Sequence, residues 1–102
     1  MAIVQVSIVP IGTKTPSLSK YVARSLEVLQ SQKSVAFRLT PMGTVLEGDL
    51  DKVLSLVRKM HESGFGEGVQ RVVTIINIDD RRDKKATMES KMRSVESKLR
   101  RS

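Results

Sequence analysis

Residues 2–9, Ala-Ile-Val-Gln-Val-Ser-Ile-Val, place an apolar side chain at every even position, while Gln5 and Ser7 face the other way. A period of two with β-branched bias predicts a strand with one buried face. Residues 10–16, bounded by two prolines and holding Gly12, read as a loop. Apolar residues then return at helical spacing. Leu18, Val22, Leu26 and Leu29 predict a helix to about Gln32, capped by Ser17 or Ser19. Two short strand-like runs flank a Pro/Met/Gly turn. Asp49 or Asp51 opens a second helix, with Leu50, Val53, Leu54, Val57 and Met60 as its apolar stripe and Gly64 as its C-cap. Residues 71–79, Arg-Val-Val-Thr-Ile-Ile-Asn-Ile-Asp, form a β-branched last strand. The order β-α-β-β-α-β predicts an α+β, ferredoxin-like sandwich.

A third helix is expected over about 86–101. Its apolar residues Met88, Met92, Val95 and Leu99 are spaced four, three and four apart. So narrow a seam suits packing against one other surface, such as the sheet of a neighbouring subunit. No repeat, low-complexity segment or linker divides the chain. It reads as a single domain over 1–102, with a core over 1–80 and a C-terminal helix over 86–101 for assembly.

If Met42-Gly43 is a two-residue hairpin loop, Arg38 lies opposite Glu47, Thr40 opposite Val45 and Leu39 opposite Leu46. Phe37, Leu39 and Leu46 then share a core face. Arg38, Thr40, Val45, Glu47 and Asp49 share a face too polar for core, which is where function is expected. A lone acid inside a strand wants a partner. Glu47 is either half of a cross-strand ion pair, worth roughly 0.2–1 kcal/mol, or an acceptor for a ligand.

Charge changes the picture at one end. The net charge of +7 is unevenly spread: residues 1–80 hold nine Lys/Arg and eight Asp/Glu, whereas 81–102 hold nine and three. A basic terminal segment can neutralise phosphates, and it can equally be a solvated helix face. There is no cysteine, hence no disulfide and no thiolate site. The N-terminus lacks the pattern of a signal peptide, and no apolar run approaches the ~20 residues of a membrane span. A cytoplasmic protein without membrane contact is expected.

Catalytic chemistry is hard to assemble. His61 stands alone near the end of the second helix, where a solvent-side position is expected, and no nucleophile–base set is in reach. Asp79, Asp80 and Asp83 sit among basic neighbours that neutralise them, so no metal site is expected. The glycines of Gly64-Phe-Gly-Glu-Gly68 follow a helix and precede a strand, the reverse of a phosphate-binding loop. The chain reads as a non-enzyme. RNA-recognition domains share this topology but stack bases on aromatics of the two central strands. Here those strands carry none, which leaves nucleic-acid binding through the basic tail as the weaker alternative.

Thr40-Pro-Met-Gly-Thr-Val-Leu-Glu-Gly48, Ser17-Leu-Ser-Lys-Tyr-Val22, Arg71-Val-Val-Thr-Ile-Ile-Asn-Ile78 and Asp79-Asp-Arg-Arg-Asp83 together resemble an uncharacterised family of small thiamine-binding-like proteins. The resemblance covers essentially the whole chain. It implies a ferredoxin-like subunit assembling through its sheets into a dimer and then a homotetramer, a dimer of dimers. It also implies binding of thiamine or its hydroxymethylpyrimidine portion as ligand, with no catalysis and no further cofactor. An aminopyrimidine wants hydrogen-bond acceptors, hydroxyl partners and apolar walls. Glu47, Thr44, Ser17 and Ser7 are the polar candidates, and Tyr21, Phe37 and Met42 the walls. Each also has a structural reading: Ser17 as an N-cap, Phe37 as core, Met42 as a turn residue. The hairpin offers a diphosphate only Arg38, which favours an unphosphorylated ligand.

Overall fold

Ala2, Val4 and Val6, the even positions of the first strand, are almost fully buried. Around them a computed structural model builds β1 (Ala2–Ile11), α1 (Ser19–Gln30), β2 (Ala36–Thr40), β3 (Gly43–Gly48), α2 (Leu50–Ser63), β4 (Arg71–Asp80) and α3 (Met88–Arg101). The structure describes residues 1–12, 19–66, 68–83 and 88–101. The sheet runs β2-β3-β1-β4 with antiparallel neighbours throughout, the order of a ferredoxin-like sandwich. Val4 and Val6 meet Leu46, Leu29, Val53 and Met60 in one core between the sheet and the two helices.

Local chemistry sets the element ends. Asp49 is extended and its side chain accepts from the Lys52 amide, capping α2, with Asp51 adding favourable charge in the first turn. Gly64 caps the other end in a right-handed conformation, its amide donating to the His61 carbonyl. α1 ends two residues before the expected Gln32 because the Gln32 side chain takes over. Its amide donates to the carbonyls of Leu29 and Val35, and its oxygen accepts from the Val35 amide. In α2 the buried stripe is Val53, Leu56, Val57 and Met60, so Leu56 takes the core place expected of Leu54. Val22 on α1 is likewise exposed rather than core.

The hairpin loop is Pro41-Met42, one residue earlier than expected. Phe37 pairs with Leu46, Arg38 with Val45, Leu39 with Thr44 and Ala36 with Glu47. The Thr40 hydroxyl fixes this register by donating to the Gly43 carbonyl at 2.8 Å and accepting from the Met42 amide. Partners therefore move by two residues, which changes every pairing but leaves each side chain on its expected face. The direct Arg38–Glu47 opposition is replaced: Glu47 lies between Ala36 of β2 and Ile3 of β1.

α3 lies off the sandwich. Met92, Val95 and Leu99 are 55, 52 and 69 % exposed, and Lys91 forms an ion pair with Asp79 at the end of β4.

Candidate functional site

Where β1 runs past the end of β3, the first helix and the sheet part to leave a cleft of about 250 Å³. Val6 and Ile8 form its floor, Tyr21, Ser25 and Leu29 of α1 its roof, and residues 40–44 of the hairpin close one end. Among the described residues lining it, none is charged. Drug-sized ligands generally occupy about 300–1,000 Å³, so this volume suits a single small ring.

The sheet presents one buried polar residue to this space. Thr44 is 9 % exposed and stands on the helix side of β3, between Val6 of β1 and Leu39 of β2. Its hydroxyl makes no hydrogen bond among the described residues, whereas the nearby Thr40 hydroxyl is occupied within the turn. The residue is largely buried, yet its hydroxyl oxygen stays accessible, so a ligand donor or acceptor can reach it. Ser25, one turn beyond Tyr21 on α1, lies 3.3 Å from the Ser63 hydroxyl and adds a second polar group to the roof.

The fold thus brings Tyr21, Met42 and Thr44 to one cleft, while Ser7 borders it from β1 with its side chain on the open face beside Gln5 and Val9. Phe37 and Glu47 line other surfaces. Phe37 packs against the core from the helix side of β2, and Glu47 stands on the open face of the sheet beside Ile3. Ser17 lies outside the described residues. The cleft therefore lies under α1 rather than on the open face. Ser25 also lines it, sharing a helix face with Tyr21 four residues earlier, and so does Leu39, which is 48 % exposed at the cleft instead of in the core as expected.

A shallower groove of about 310 Å³ runs between α2 and β4, lined by Leu54, Arg58, His61, Thr74 and Ile76. His61 is half-buried here instead of solvent-side, with Nδ1 2.6 Å from the Thr74 hydroxyl and its ring edge-on to Phe65. Downstream, Asp80 and Asp83 pair with Arg82 and Arg81 at 2.9 and 2.7 Å. The hydrogen bond to Asp83 holds the Arg81 guanidinium above its ordinary pKa. No group of three or more His, Asp or Glu among the described residues is placed to hold a metal ion. No described helix is long and apolar enough to cross a membrane.

Comparison with known proteins follows the same lines. The UPF0045 protein YqgV of Bacillus subtilis is 49 % identical over 97 % of this chain and 98 % of its own length. The crystal structure of the hypothetical protein MJ1052 from Methanocaldococcus jannaschii superposes with a TM-score of 0.82 at 39 % identity, covering 92 % of this chain and 94 % of that one. A domain of unknown function from Bacillus cereus superposes with a TM-score of 0.76 at 31 % identity, over 88 and 85 % of the two chains. The family model described as thiamine-binding protein matches residues 4–96. The chain belongs to the thiamine-binding protein family.

Proposed function

We propose that this protein holds thiamine, through its hydroxymethylpyrimidine portion, or that portion alone, in the cleft beneath α1, and that it acts by binding rather than by catalysis. The observation that carries this reading is Thr44: a largely buried residue whose hydroxyl stays accessible and has no partner among the described residues, lining an uncharged cleft of single-ring size. An aminopyrimidine offers both donors and acceptors to such a hydroxyl and a flat apolar face to Tyr21, Val6 and Ile8. The cationic thiazolium of thiamine finds no counter-charge among the lining residues, so the pyrimidine end enters and the thiazolium stays at the mouth. A diphosphate finds none of the Lys or Arg it needs.

Family membership supports the ligand class, and the cleft supports the end of the ligand that is held. We further propose that the protein works in the cytoplasm as a homo-oligomer, with a second copy covering the open face of the sheet. Val9, Val73 and Ile75 stand exposed there.

Calorimetric titration of hydroxymethylpyrimidine, thiamine and thiamine diphosphate into the wild-type protein tests the ligand. Saturable binding of the first two, with the diphosphate weakest, is expected. Absence of binding by both unphosphorylated compounds overturns the assignment.

A further inference from the structure

Tyr21 is the one aromatic residue among the described lining of the cleft, and the chain contains no other tyrosine and no tryptophan. Arg24 follows it by three residues on α1, close enough for the two side chains to meet on one helix face. They do meet: the guanidinium carbon lies 5.6 Å from the centroid of the Tyr21 ring. The guanidinium also lies against Gly66 in the connection between α2 and β4. A Cβ at position 66 would stand 2.7 Å from the guanidinium carbon and 3.2 Å from Nη2, and nearer still to Nη1. Real Cβ atoms essentially never come within 3.0 Å of a neighbour, so a side chain at position 66 would shift the guanidinium, the far end of a flexible side chain, out of this slot.

We propose that Arg24 is a positioning residue for the ligand cleft, its guanidinium wedged between Gly66 and Tyr21 so that the connection after α2 sets where the Tyr21 wall stands. The proposal rests on the cleft being the ligand site. A tyrosine on a helix surface has two free torsions, and a wall that swings presents no fixed face to a planar ring. A cation over the ring face restricts that motion, and the planar guanidinium fits a slot between a glycine backbone and an aromatic face as a compact ammonium does not. Arg24 is itself half-buried, so the arrangement is not that of a solvated side chain brushing a ring.

Because Tyr21 is the sole tyrosine and tryptophan is absent, tyrosine emission reports this wall alone. The test uses Arg24→Met, which keeps the long stem but loses charge and plane, Arg24→Lys, which keeps charge only, and Gly66→Ala, which fills the slot. In the ligand-free protein, acrylamide should quench Tyr21 more strongly in Arg24→Met and Gly66→Ala than in wild type, with Arg24→Lys between them. Titrated with hydroxymethylpyrimidine, the same two variants should bind about two- to thirty-fold more weakly, and Arg24→Lys should recover part of the loss. Equal quenching in Arg24→Met, Gly66→Ala and wild type overturns the proposal whether or not ligand binds. So does raised quenching with unchanged affinity. A wild-type protein that binds no hydroxymethylpyrimidine defeats the ligand assignment instead, and the quenching series still decides whether Arg24 sets the ring.

Discussion

His61 Nδ1 lies 2.6 Å from the Thr74 hydroxyl, a bond that ties the last turn of α2 to β4. β4 is an edge strand whose helix-side residues Ile76 and Ile78 are 41 and 49 % exposed, so few packing contacts hold that side of the sheet to the helix layer. Thr74→Val keeps the shape and removes the hydroxyl. It should cost about 0.5–1.5 kcal/mol, read by urea denaturation, because a net intramolecular hydrogen bond contributes that much. Ligand affinity should stay at the wild-type value, since this groove is separate from the cleft beneath α1.

Thr44→Val should give the opposite pattern. In the free protein the hydroxyl has no partner among the described residues and stays accessible, so replacing it with a methyl of similar shape leaves stability nearly unchanged. In the complex the same change deletes a ligand hydrogen bond worth about 0.5–1.5 kcal/mol, a loss of roughly two- to twelve-fold in affinity. Calorimetric titration beside a thermal melt separates the two effects. Lower stability with unchanged affinity would make Thr44 an ordinary core residue.

Glu47→Gln should leave affinity for hydroxymethylpyrimidine unchanged. Its carboxylate stands on the open face of the sheet between Ile3 and Ala36, with the layer of the sheet separating it from the cleft. A tenfold loss on titration would require the ligand to lie on the open face and would displace the cleft as the site.

These two residues also mark what sequence could and could not disclose. Strand and helix order, the faces of β1 and the cap at Asp49 are local and periodic, and a period of two or a carboxylate before a helix is visible in the residues themselves. The hairpin register was not, because Pro41, Met42 and Gly43 all suit a turn. What selects Pro41-Met42 is a single hydroxyl bond from Thr40 to Gly43. Leu54 and Leu56 are similarly equal on a helical wheel until the sheet decides which one it covers. In the cleft, Thr44, Tyr21 and Met42 are legible from ligand chemistry, as a hydroxyl and two walls that suit an aminopyrimidine. Glu47 stands out by its charge and lies on the open face instead. The cleft is neutral, and neutral residues such as Ser25 and Leu39 carry no signature until α1 is laid across the sheet.

Gly43 should tolerate no side chain. Its φ of 146° lies where L-residues are strained, and a Cβ would stand 2.7 Å from the Val6 carbonyl oxygen on the neighbouring strand. Gly43→Ala should cost about 1–3 kcal/mol for the backbone alone, with the steric approach adding to it. Because Gly43 borders the cleft, affinity should fall with stability, as calorimetry and a denaturant titration of the same variant would show. Stability within experimental error of wild type would mean that β1 and β3 separate freely at this point.

Assembly is the prediction with the widest reach. Val9, Val73 and Ile75 on the open face are 37, 38 and 56 % exposed, and α3 turns Met92 and Val95 outward. Leaving that much apolar surface in water is unfavourable at roughly 25 cal/mol per Å², and a second copy removes it at both faces at once. The protein should therefore sediment well above its 11.4 kDa chain mass at micromolar concentration. Deleting residues 88–102 should lower the oligomeric state, while Ile75→Lys, which places a charge among the exposed apolar residues of the open face, should dissociate the sheet-mediated contact. The same deletion addresses the basic segment. If α3 serves assembly, duplex DNA or RNA should bind the intact protein weakly and lose affinity steeply with salt, as phosphate neutralisation by any polycation does. Sequence-selective binding that persists at physiological salt and vanishes with residues 88–102, in a protein that sediments as a monomer, would instead make α3 a nucleic-acid contact.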